Sequence, residues 1–288
     1  MTRYVTFAIA LLIMAGCAPV AEKKNNTPVM RLYSRAVADS FSIFIKLPAD
    51  YHPELSKKYP VAYLLDANLY FDIMAVTLNK YAEVGLAPEV ILVGIGYKDF
   101  AAMDSLRNRD DTYPVAIPEY EMTTSGGADK FLSFIHDELM PAIDKQYHTD
   151  TSKRVLMGHS LGGYFTSYAL YRDISGTATG FNGYIAASPS LHYNHYYLSE
   201  QLKAAPVKDS GAAKVKAYFA FGGQEEPEAG DSATLPLQET MAQLSASISQ
   251  KQSAAVTYQG DIYSNLGHMD TQLPVFIKGL QWILPAEE

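Results

Sequence analysis

The sequence is poor in several things that would each have pointed somewhere. It holds one cysteine, Cys17, so no disulfide can form within one chain. It has no Lys/Arg cluster beyond its first residues, and its formal net charge is −8, which turns the reading away from nucleic acid as a partner. The most continuous apolar stretch near the start, Val5 to Ala15, is too short to cross a bilayer as a helix. There is no internal repeat, no low-complexity tract, no H-E-x-x-H pattern and no carboxylate at ligand spacing, and no cofactor is expected. What remains is ample: 288 residues, 48% hydrophobic and 12% aromatic, enough for one large α/β domain with a substantial core.

The N-terminus reads as a targeting segment. Met1-Thr2-Arg3 is weakly positive, Val5 to Ala15 is apolar, and Met14-Ala15-Gly16-Cys17 places small residues just before the cysteine. The pattern resembles a bacterial lipoprotein signal. It implies cleavage after residue 16, lipid on Cys17 and attachment to a membrane of the cell envelope. Residues 17–30, polar and including Lys23, Lys24 and Pro28, are expected to be a lipidated tether, and residues 31–288 the folded domain.

Within that domain apolar runs alternate with helical patterns. Strands are expected over Phe41–Leu47, Val61–Leu65, Val90–Ile95, Arg154–Met157, Tyr184–Ala187, Val215–Phe221 and Ala255–Tyr258. Helices are expected over Leu69–Val84, Phe131–Ile143 (kinked or split by Pro141), Tyr164–Tyr171, Leu237–Ile248 and Thr271–Trp282. The polar stretch Lys98 to Gly127 is expected to be a long loop. Strands separated by helices predict a mostly parallel sheet covered on both faces, with its site at the carboxyl ends of the strands.

Chemistry enters at Gly158-His159-Ser160-Leu161-Gly162-Gly163, set between a strand and a helix. Strand, G-x-S-x-G, helix is the nucleophile elbow of the α/β-hydrolase fold. The tight turn strains the backbone, glycines remove the Cβ atoms that would collide, and the helix start offers free N–H groups beside the serine. A serine needs a base, and the base an orienting acid. In this fold the order along the chain is serine, acid, histidine. Of seven histidines, His268 in Gly267-His268-Met269-Asp270 satisfies that order. The acid is expected after the strand ending at Phe221. Glu225 stands three residues after Gly222 and is our choice, Glu226 is the alternative, and Asp231 and Asp270 follow; without any of them a Ser–His dyad remains. The oxyanion hole is expected from the backbone N–H groups of Leu161 and Asn68, with Ala67 as alternative to the latter.

Tyr63-Leu64-Leu65-Asp66, Arg107-Asn108-Arg109-Asp110 with Thr112, Gly158 to Gly163, Ser188-Pro189-Ser190 and Gly267-His268 together resemble the esterase-D-type esterases of the α/β-hydrolase superfamily. That group includes siderophore esterases, feruloyl-type esterases and S-formylglutathione hydrolases. The resemblance implies Ser160 as nucleophile, His268 as base and Glu225 as acid, acting on a small-molecule ester or thioester. It places Arg107 and Arg109 at the cleft, against the competing reading of an Arg–Asp network that pins their segment. Siderophore-type members often carry aromatic residues where this chain has His192-Tyr193-Asn194, a departure that turns the expectation away from catecholate siderophores. His192 and Tyr193 are candidates for the substrate site, in a segment that with Tyr196 and Tyr197 reads as an aromatic substrate wall or as ordinary packing; His192 and His195, three apart, are a weaker metal reading. An acyltransferase using the same site, and an inactive envelope-tethered binding protein, are the rival functions.

Overall fold

The computed structural model describes residues 28–206, 215–227, 234–249 and 256–285. Cys17, its leader and most of the tether, as well as Asp231, lie outside the described residues. Among those described, no helix is long and apolar enough to cross a membrane.

The chain enters through β1 (Met30–Ser34), a short strand with no counterpart in the sequence expectation, and turns into β2 (Asp39–Lys46) and then β3 (Tyr59–Leu64). Helix α1 (Ala67–Glu83) follows. It ends in a Schellman pair, Gly85 N–H to Ala82 O and Leu86 N–H to Tyr81 O, and Gly85 supplies the left-handed φ of +72° that this ending requires. After β4 (Ile91–Gly96) comes α2 (Phe100–Asp110), inside the stretch expected to be a loop. Asp99 caps it by accepting the Ala102 N–H at 2.9 Å. Its low apolar content hid the helical period, because its polar side chains are satisfied by ion pairs rather than by an apolar face.

The region around Pro141 is neither broken nor simply kinked. Helix α3 (Ala128–Ser133) widens into a π-helical segment, Phe134–Leu139, and resumes as α4 (Met140–Gln146). Proline has no N–H and collides with the carbonyl one α-turn back, so a wider turn just before it accommodates the ring. Then follow β5 (Thr149–His159), α5 (Leu161–Ile174), β6 (Gly183–Ala187), α6 (Tyr193–Ala204), β7 (Val215–Gly222), α7 (Leu237–Ser249), β8 (Val256–Tyr263) and α8 (Gln272–Ile283). Helix α6 was absent from the sequence expectation, and β8 runs five residues beyond the predicted end at Tyr258.

The eight strands form one sheet in the order β1-β2-β4-β3-β5-β6-β7-β8. β1, β2 and β4 pair antiparallel; from β4 to β8 every pairing is parallel. Alternation along the strands sorts the core into two. Ala62, Leu64, Val155, Met157, Ile185, Tyr218 and Ala220 face α1 and α8. Val61, Tyr63, Leu156, Tyr184, Ala217 and Phe219 face the other layer, with α3, α4, α5 and α6. A doubly covered parallel sheet leaves its loops as the free surface, and the turns after β3, β5, β6, β7 and β8 all emerge at the carboxyl end.

Candidate active site

The elbow forms as its composition requires. Ser160 sits at φ +59°, ψ −117°, between the end of β5 and the start of α5. A Cβ on Gly158 would lie 2.1 Å from the carbonyl oxygen of Gly162, and one on Gly163 would lie 3.0 Å from that of Ala187. Only glycine permits this approach of strand, turn and helix. Ser160 N–H donates to Ala187 O at 3.0 Å, and Ser190 N–H donates back to Ser160 O at 3.1 Å, so the elbow is stitched to the turn after β6.

The candidate acid and the candidate base meet. His268 Nδ1 lies 2.7 Å from Glu225 Oε2, across 43 positions of chain. Glu225 is fixed through its other oxygen, which accepts from Ser188 Oγ and from Gly222 N–H, each at 2.5 Å. Burial raises the Glu225 pKa, but the hydrogen bonds from His268, Ser188 and Gly222 outweigh it and hold the carboxyl below its usual range. The alternatives make other contacts, although Glu226 lines the same cavity. Glu226 accepts the Leu237 N–H at the start of α7, and Asp270 accepts the Gly267 N–H of its own turn.

Ser160 Oγ lies 3.3 Å from Ser190 Oγ and makes no hydrogen bond to His268 in this structure. Such contacts commonly tighten only once substrate is bound. The N–H groups of Leu161 and Asn68, and that of Ala67, stand in the first turns of α5 and α1, and none makes a hydrogen bond among the described residues. The Asn68 side chain clamps Tyr97, accepting its N–H at 2.7 Å and donating to its carbonyl at 3.1 Å, which fixes the turn after β3.

The two arginines are engaged with carboxylates. Arg107 makes a bidentate pair with buried Asp66 at 2.7 and 3.0 Å and donates to His159 O at 3.2 Å. Asp111 Oδ2, 3.9 Å from Arg107, is buried without a hydrogen bond, and burial together with Asp66 pushes its pKa well up. Arg109 grips Asp110 through two bonds and Asp39 through a third. Both guanidinium groups therefore tie α2 to the sheet and the elbow.

The aromatic wall needs correction. Tyr193 is buried, stacked on Tyr120 with centroids 5.5 Å apart, and its hydroxyl donates to Pro114 O. It packs the core and does not reach the cavity. His192 does line a cavity of about 330 Å³ beside the acid and base, together with Ser190, Tyr196, Leu235, Glu225 and His268. Between them, Asn194 to Tyr196 make one left-handed turn, φ +48° to +62°, with Asn194 tied to Ile117 N–H and Val115 O. A larger cavity, about 840 Å³, opens at the opposite ends of the strands beside Tyr59, Arg154 and Lys216, far from this chemistry.

Sequence reasoning missed the supporting contacts. Ser188 and Thr271 bond one another at 2.7 Å, Thr271 donates to His268 O at 3.0 Å, and His159 Nε2 lies 2.7 Å from the same carbonyl. Ser188 was visible only as part of Ser188-Pro189-Ser190, and nothing local in the sequence pairs it with Glu225.

Comparison with known proteins agrees with this arrangement. Residues 34–274 match the family model described as "Putative esterase". The chain is 37% identical over 183 residues to the ferri-bacillibactin esterase BesA of Bacillus subtilis, covering 60% of this chain and 61% of that protein. It is 31% identical over 149 residues to the siderophore triacetylfusarinine C esterase of Aspergillus fumigatus, covering 50% and 49%. These matches span about half to three-fifths of the length of those relatives. In fold it is similar to the crystal structure of the BES protein from Bacillus cereus, with a TM-score of 0.73 at 24% identity, covering 97% of this chain and 99% of that one. With strand order, elbow and family match in agreement, the chain belongs to this esterase family of the α/β-hydrolase superfamily.

Proposed function

We propose that the chain is a serine carboxylic-ester hydrolase working through an acyl-enzyme on Ser160. The observation that carries the reading is the 2.7 Å contact between His268 Nδ1 and Glu225 Oε2 at the same sheet end as the elbow serine. Glu225 keeps the proton on Nδ1, which leaves Nε2 free to act as base. Ser160 Oγ attacks the ester carbonyl, His268 takes its proton, and the oxyanion is received by the N–H groups of Leu161 and Asn68. His268 returns the proton to the departing alcohol. Water, deprotonated by the same histidine, then attacks the acyl-enzyme and releases the acid.

The named relatives act on siderophores, which supports siderophore esters as the first substrate class to try. The cavity beside His268, walled by Tyr196 and Leu235, suits a partly apolar group on one side of the scissile bond. Cys17 and the apolar segment before it support attachment to the cell envelope through lipid.

The test is hydrolysis of a short-chain aryl ester by the full-length protein and by Ser160→Ala, with a fluorophosphonate probe as the second readout. A fall in kcat on the order of 10⁶-fold, with loss of labelling, is expected. Equal rates in the two proteins would end the proposal. Siderophore, feruloyl and thioester substrates compared at equal concentration then give the acyl preference, and product analysis with an added alcohol separates hydrolysis from acyl transfer.

A further inference from the structure

We propose that His159, the residue before the serine in the elbow, is a positioning residue for His268. This rests on the reading of His268 as base. His159 ends β5, and its side chain is buried between the sheet and the α1/α8 layer. Its Nε2 lies 2.7 Å from the carbonyl oxygen of His268. A carbonyl only accepts, so Nε2 carries the hydrogen. Nδ1 is then a lone pair, and Tyr70 Oη, 2.9 Å away, donates to it. The chain of donation runs from Tyr70 on α1, through the elbow, to the backbone of the base.

His268 needs such a hold. Its side chain is 41% exposed, so packing alone does not place it. Glu225 fixes the ring at Nδ1 but does not hold the His268 carbonyl, and the backbone bonds of this loop fall on its neighbours Leu266, Gly267 and Asp270. Thr271 Oγ1 also reaches the His268 carbonyl, at 3.0 Å, yet it lies closer to Ser188 Oγ, at 2.7 Å. Ser188 spends its own proton on Glu225, so Thr271 has one proton for two acceptors. The His159 N–H has one acceptor and the shorter contact. The rings of His159 and His268 lie 4.6 Å apart, and burial together with the neighbouring His268 pushes the His159 pKa down to about 4. A neutral His159 leaves His268 free to take up the proton from Ser160.

Because His159 and Ser160 are consecutive, one rigid elbow sets both the nucleophile and, through the carbonyl, the base. A misplacement of about 1 Å between such groups costs about 100-fold in rate.

The experiment compares kcat and KM on the aryl ester for wild type, His159→Phe, His159→Gln, Tyr70→Phe and Ser160→Ala, each checked by thermal melting. Phenylalanine removes the donor, and kcat is expected to fall about 100-fold with KM little changed. Glutamine restores an N–H near the position of Nε2 and is expected to recover most of kcat. Tyr70→Phe frees the tautomer and is expected to lower kcat by less than His159→Phe does. If the phenylalanine variant does not fold, the other two decide. Wild-type kcat in a folded His159→Phe or in Tyr70→Phe overturns the proposal, and so does a folded His159→Gln as impaired as Ser160→Ala. Activity in Ser160→Ala would instead remove the underlying reading, so the two failures are distinct.

Discussion

Ser188 Oγ donates to Glu225 Oε1 at 2.5 Å from a backbone held at φ +41°. A non-glycine residue there costs on the order of 1 kcal/mol, and the rigid turn places the hydroxyl on the carboxylate. The motif first noticed as a family signature thus orients Glu225, the proposed acid. Ser188→Ala removes one of the bonds that lower the Glu225 pKa. Glu225 in the folded protein titrates below its ordinary value, so its contribution is present above that value and is lost as pH falls. With Ser188 gone its pKa rises, and the activity deficit of Ser188→Ala relative to wild type is expected to widen as pH falls into the carboxylate range. A ratio of variant to wild-type kcat/KM that stays constant down to the lowest pH at which both remain folded would contradict this.

Arg107 lies between Asp66 and Asp111 with its side chain 17% exposed. Arg107→Met leaves both carboxylates buried without a cation. The expected loss of stability is about 3–5 kcal/mol, read as a lower denaturant midpoint. Arg107→Lys keeps charge but not the bidentate grip, and is expected to fall between wild type and methionine.

Gly158→Ala tests the elbow. The added methyl meets backbone 2.1 Å away, so the strand or helix must shift. We expect a loss of about 3 kcal/mol or more, together with loss of fluorophosphonate labelling at Ser160. A variant that melts and labels like wild type would show that the turn has slack the geometry denies.

His159 gives the stability curve a defined slope. Tyr70, His268, Asp66 and Arg107 surround it, and its folded pKa is about 4 against an ordinary 6.5. The unfolded chain therefore binds the extra proton between those values, and stability rises with pH across that window. Its contribution is complete above about 6.5 and is lost as pH falls toward 4, a difference of at most about 3 kcal/mol. Melting of His159→Gln across pH 4–7 is expected to be flatter than wild type by that amount. Parallel curves would contradict it.

Much of this architecture was legible because its signals are local. Val61–Leu65 and Val90–Ile95 are too apolar to be anything but doubly buried strands. Gly158 and Gly163 announce a backbone crowding that the structure confirms. Position after β7 and β8 marked Glu225 and His268 as candidates, and the 2.7 Å contact supports Glu225 over Glu226 as the partner of that histidine. Helix α2 was illegible because it is held by Arg107, Arg109, Asp66 and Asp39, partners that are remote in sequence. Sequence left Tyr193 open between wall and packing, because an aromatic beside a functional motif looks the same whether it lines the cavity or the core; here it packs. The hold of His159 on His268 spans 109 positions and has no periodic signature.

The sheet order has a spatial corollary. β1 is one margin of the sheet and β8 the other, seven strand steps away, or about 34 Å at ~4.8 Å per step. The chain enters the domain at one margin while the histidine loop leaves from the other. The described chain therefore starts on the flank away from the cavity beside His268.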